Sequence, residues 1–131
     1  MQSTGVRTGG GLGRCSRVPR FITIGYGDQS GYDQTAKGVR DAAHAADAER
    51  VRRGDIMGVA GKPVQVRNHD AAEVEVIPGP YLSAGLPIAG FALIEAADLS
   101  EAIKIAAASP CAVAQGVVEV WPLDATPDAQ A

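Results

Sequence analysis

Apolar and polar positions alternate along this chain in two distinct rhythms. Phe21-Ile22-Thr23-Ile24-Gly25-Tyr26 is β-branched and aromatic, and Gly27-Asp28 closes it, which predicts a first strand. Gln29 to Gln34 is polar throughout and reads as a loop. From Thr35 to Arg53 the period changes. Val39, Ala43, Ala46 and Arg50 recur on one face of an Ala-rich helix, and Gly54 follows as a natural stop. Ile56 to Ala60 predicts a short second strand. Val64-Gln65-Val66-Arg67 and Glu73-Val74-Glu75-Val76 alternate strictly, as half-buried strands do, around the turn residues Asn68-His69-Asp70. They read as an antiparallel hairpin.

Residues 78–90 are punctuated by Pro and Gly and read as a connection. Phe91 to Glu95 predicts a central strand. Asp98 and Glu101 then have the spacing of a capping box, starting a helix that runs to about Ala108 before Ser109-Pro110. Val117 to Trp121 predicts the last strand. The order is β-α-β, hairpin, β-α-β. That is a ferredoxin-like α+β plan, an antiparallel sheet with two helices on one face. The other face then needs a cover, and sheet-against-sheet pairing with a second copy supplies one. The expectation is a homodimer.

Composition refines this picture. The 131 residues suffice for one domain, and 5% aromatic content makes a core of small and aliphatic side chains. Residues 1–20 carry four arginines (Arg7, Arg14, Arg17, Arg20) and no acid, and read as a disordered basic leader. The rest of the chain keeps 8 of the 12 basic residues and all 15 acidic ones. An acidic body argues against nucleic acid as a partner. The leader lacks the apolar run of a secretory signal, and no window has the length of a membrane span, so the expectation is a cytoplasmic protein with no membrane partner. Residues 124–131, Ala- and Pro-rich, read as a disordered tail.

Several landmarks occur in an order that carries a family resemblance. They are Ile24-Gly25-Tyr26-Gly27-Asp28, Gly54 to Gly61, Val64-Gln65-Val66-Arg67 and Pro78-Gly79-Pro80-Tyr81. Gly90-Phe91, Asp98-Leu99-x-Glu101-Ala102 and Val118-Glu119-Val120 complete the set. Over residues 21–123 the chain resembles the YciI-related proteins, in particular the branch named for an Asp-Gly-Pro-Phe motif (DGPF). The resemblance implies a dimeric α+β barrel. Two departures bear on function. Pro78 stands where the motif has its acid, and Leu82 to Ala89 is uncharged where the family carries charge. A pocket below this turn is expected to be apolar and to take a small apolar or aromatic ligand.

His44 is the leading candidate for chemistry. The resemblance implies an active-site histidine paired with an acid on this helix, and Asp41 and Asp47 each lie three residues away on the same surface. A His44–Asp47 pair gives a general acid/base of lyase, isomerase or hydrolase type. The ordinary alternative is a solvated helix residue. Tyr26, Asp28, Arg67, Gly79, Pro80 and Tyr81 cluster near strand ends and the Gly-Pro turn and are candidate ligand-binding residues. The alternative for Arg67 is a cross-strand pair with Glu73 or Glu75. His69 reads as a turn residue. Cys15 and Cys111 form no ligand-spaced set, so no metal and no cofactor is expected, and Cys111 reads as structural. Three functions stay open: a small-molecule-binding or accessory protein, a small acid/base enzyme, and a partner-binding domain with the sheet or the basic leader as its interface.

Overall fold

The computed structural model describes residues 18–123. The expected leader, up to Arg17, and the expected tail lie outside the described residues. The elements are β1 (Arg20–Tyr26), α1 (Gln29–Gln34), α2 (Lys37–Arg52), β2 (Ile56–Val59), β3 (Val64–Arg67), β4 (Glu75–Pro78), β5 (Ile88–Glu95), α3 (Leu99–Ala107), α4 (Pro110–Val113) and β6 (Val117–Leu123). Four strands form an antiparallel sheet in the order β2-β5-β1-β6, and β3 and β4 form a separate two-stranded sheet. This α+β architecture is compatible with a ferredoxin-like fold. β1 lies at the centre, with β5 on one side and β6 on the other.

Strand alternation divides the sheet into two faces. Phe21, Thr23 and Gly25 of β1 point to the same side as Ile94, Ala92 and Gly90 of β5, their direct partners. The core lies on this side, built from Phe21, Ile94, Ala96 and Ala102 with Ile105 and Val120 against it. It is thin, because alanines hold many of its positions. On the opposite face Ile56, Phe91, Val117, Trp121 and Leu123 are each about half exposed or more. No helix among the described residues covers them.

The ends of the main helices are set locally. Gly54 follows α2 with φ of 107°, a conformation that costs glycine little and other residues more. Asp98 caps α3 by accepting from the Glu101 amide at 2.8 Å, and Glu101 reaches back to the Ala97 amide. A buried clamp joins α2 to the sheet. Asp55 accepts from Arg50 Nε at 2.6 Å and from the Glu95 amide at 3.2 Å, while Arg50 Nη2 donates to the Glu95 carbonyl at 2.8 Å. The Asp55 side chain is only 4% exposed, so it exchanges solvent for these partners.

Four elements differ from the sequence expectation. Gln29–Gln34 is a helix rather than a loop, because Asp28 accepts from the Gly31 amide at 2.9 Å and caps it. Pro110 starts α4 as well as following α3, since proline suits the first turn of a helix. β5 begins at Ile88 rather than Phe91, because Gly90 pairs with Gly25 without side-chain conflict. β4 lies two residues later than the Glu73–Val76 alternation and ends in Pro78, which an edge strand tolerates. Arg20, grouped with the leader by charge, opens β1 and pairs with Glu95 at 3.4 Å.

Asp55→Ala leaves the Arg50 guanidinium without its buried partner. The expected loss of stability is about 3–5 kcal/mol, read as a lower urea midpoint.

Candidate functional site

A cavity of about 350 Å³ lies on the helix side of the sheet. Its floor includes Thr23, Gly25, Gly90 and Ala92, and its walls come from α2, the α3–α4 corner and the β2 edge. The floor is low because it is made of glycine and small residues. A Cβ on Gly25 would stand 2.8 Å from Cys111 Sγ, so glycine is what lets the α4 thiol sit over β1. The ionisable groups lining the cavity are His44, Asp47, Arg50 and Cys111. Most of the remaining surface is apolar, with Met57, Val59, Ile105 and Val118 among its contributors.

His44 and Asp47 are therefore brought together at one site, on successive turns of α2. Asp41 is drawn away, since Lys37 donates to it at 2.7 Å and holds its carboxyl below the usual range. Asp47 behaves in the opposite way. Partial burial pushes its carboxyl upward, and the nearby His44 ring opposes this only in part. Among the described residues nothing hydrogen-bonds or ion-pairs Asp47. The His44 ring is held instead by Tyr32, whose hydroxyl lies 2.8 Å from Nε2. The Arg40 guanidinium lies over the Tyr32 ring, 4.6 Å from its centre. Burial, and secondarily Asp47, push the Cys111 thiol up, which keeps it protonated and weakly nucleophilic at neutral pH.

The candidate ligand-binding residues do not join this cavity. Tyr26 is buried and donates to Glu119 at 2.9 Å, and burial followed by that carboxylate raises its phenol above the ordinary value. Asp28 is committed to capping α1. Arg67, Gly79, Pro80 and Tyr81 belong to the β3–β4 arm. There Arg67 donates to Gln65 at 3.2 Å and lies 6.0 Å from the Tyr81 ring centre, while Tyr81 is 81% exposed. Arg67 faces Glu75 in register but turns its guanidinium to Gln65. His69 lies in a 3-10 turn at the far end of the arm.

Two residues of the site escaped the sequence reading. Tyr32 lies in a segment with no apolar period, and only the Asp28 cap signals the helix that carries it. Cys111 reaches the cavity through packing of α4 beside α2, which no local pattern announces. Among the described residues no group of histidines, cysteines and acids has the arrangement of a metal site. No helix among them is long and apolar enough to cross a membrane. Comparison with protein-family models gives no match. Comparison with curated proteins gives none either.

The unpaired Asp47 carboxylate generates a test. A carboxyl whose folded pKa exceeds its unfolded value contributes stability that is present below the unfolded pKa and lost as pH rises through the folded one. At neutral pH the charge therefore costs stability. Asp47→Asn is expected to raise Tm at pH 7 by about 1–3 °C, and the gain should shrink as pH falls toward about 4. Differential scanning fluorimetry across that range checks both halves.

Proposed function

We propose that this chain is a YciI-like, DGPF-like protein that binds a small molecule as a homodimer. The ligand occupies the helix-side cavity, not the surface below the Gly79–Pro80–Tyr81 turn. The observation that carries the reading is the cavity itself. It is of the size of small ligand sites, largely apolar, and has His44 and Asp47 at its wall. Few polar groups on an apolar wall are what orients a small ligand.

Two features support the homodimer. The open sheet face exposes Phe91 and Trp121 beside Ile56 and Val117. The β3–β4 arm has one face made of Val64, Val66, Val76 and Pro78, by its pairing register. Val64, Val66, Val74 and Val76 are all more than half exposed. A two-stranded hairpin is marginal on its own in water, and burial of that face against a second copy stabilises it. Sheet-to-sheet association of this kind closes the dimeric α+β barrel. A free, half-buried thiol at Cys111 fits a reducing cytoplasm.

The second reading is an acid/base enzyme of lyase, isomerase or hydrolase type. A specific arrangement favours it. Partial burial raises the Asp47 carboxyl above its ordinary value, and the Tyr32 hydrogen bond fixes the orientation of His44, so a carboxyl group and an oriented ring share one cavity. On this reading His44→Ala abolishes turnover of a substrate found for the protein while leaving Tm within a few degrees. An unchanged turnover number removes His44 from the chemistry.

The dimer has a convenient reporter, since Trp121 is the only tryptophan of the chain. Light scattering is expected to give twice the 13.4 kDa chain mass. Dilution should shift Trp121 emission to the red as the face meets water, and Phe91→Asp should yield a monomer with the red-shifted spectrum at all concentrations. A wild-type monomer at micromolar concentration would refute the dimer.

A further inference from the structure

We infer that the helix-side cavity selects a small apolar molecule bearing a positive charge, an aryl- or alkylammonium, with Asp47 as its counter-ion. The inference rests on the cavity being the ligand site. It follows from an account of the charges at the wall. Arg50 is the one arginine or lysine lining the cavity, and it is already engaged. Its Nε donates to Asp55 at 2.6 Å and its Nη2 donates to the Glu95 carbonyl at 2.8 Å. The His44 ring meets the Tyr32 hydroxyl through Nε2. Asp47 is left with no partner among the described residues.

Asp47 is thus the acid of the cavity wall, and no hydrogen bond or ion pair engages it among the described residues. Its environment is partly desolvated, which is why burial pushes the carboxyl upward. That field also reaches the α4 end of the cavity, where Asp47 adds to the upward push on the Cys111 thiol. An anionic ligand would bring a second negative charge beside Asp47, with Arg50 already engaged by Asp55 and Glu95. A neutral ligand would leave Asp47 as it is. An ammonium compensates the charge and donates hydrogen bonds to both carboxylate oxygens, and charge-assisted bonds of that kind are the stronger class. Elsewhere in the cavity, apolar surface such as Met57, Ile105 and Val118 offers the ligand body contacts but no place for its charge. A volume near 350 Å³ suits one ring with a short chain.

Three probes of one shape separate these cases: phenethylamine, 2-phenylethanol and phenylacetate, titrated calorimetrically into the full chain. The amine is expected to bind about tenfold or more tighter than the alcohol, with the acid weakest. In Asp47→Asn the amine and the alcohol should bind within about twofold of each other. Location is read independently on a Cys15→Ser background, which leaves Cys111 as the sole thiol. Saturating amine should slow its alkylation by N-ethylmaleimide several-fold.

Each other result decides against the inference at a distinct level. Alcohol or acid binding as tightly as the amine, with Cys111 protected, overturns the charge selection and leaves the cavity as a ligand site. An amine preference that survives in Asp47→Asn overturns the role of Asp47. Binding without protection of Cys111, or no binding by any probe, overturns the cavity reading and this inference together.

Discussion

The clamp formed by Arg50, Asp55 and the Glu95 backbone is the constraint on which the rest of the molecule depends. It joins the last turn of α2, the start of β2 and the end of β5 through groups up to 45 residues apart in sequence. Both backbone polar groups of Glu95 are used, so the strand cannot slide against the helix without breaking two bonds at once. A core of alanines offers little shape complementarity to fix the height of α2 over the sheet. Directional polar contacts take over that task here. Once Arg50 is anchored, His44 and Asp47 are carried on preceding turns of a rigid helix and face the space above Gly25 and Gly90.

That space persists for a related reason. Tightly packed cores close voids by letting large side chains lean inward. Here the floor is glycine and alanine, and the walls are tied to fixed points by α4 and by the clamp. The cavity is the volume that small residues leave when polar anchors keep the layers apart. The same small residues weaken the core, so a ligand that fills the cavity stabilises the fold by mass action.

The sequence was most readable where structure is decided locally. Strand β1, the stop at Gly54 and the Asp98–Glu101 cap were all foreseen, because each depends on residues within a few positions. The plan of the sheet followed from their order. Legibility failed where distant partners decide. Helix α1 is polar throughout and owes its existence to a cap at Asp28. The start of β5 at Ile88 depends on Gly90 meeting Gly25 across the sheet. At the site, helical spacing put Asp41 and Asp47 equally near His44 and could not separate them, since Lys37 and the cavity do that in three dimensions. Tyr26, Asp28 and Tyr81 each stand beside a strand end or turn, but they serve three different places in the fold.

The position of β1 has a consequence for how the chain reaches this state. It is the middle strand, yet it precedes both of the strands that flank it, and its Tyr26–Glu119 bond spans 93 residues. As the chain emerges during synthesis, β1 waits beside α2 with no sheet partner until β5 and β6 follow. Loop-closure entropy must be met before any of its ladder forms, which makes folding slow for a domain of this size. Through that interval Phe21, Ile22 and Ile24 are exposed together on a single bare strand. The period of greatest aggregation risk thus belongs to the nascent chain, and a chaperone that holds β1 would act on the same residues that later form the middle of the sheet.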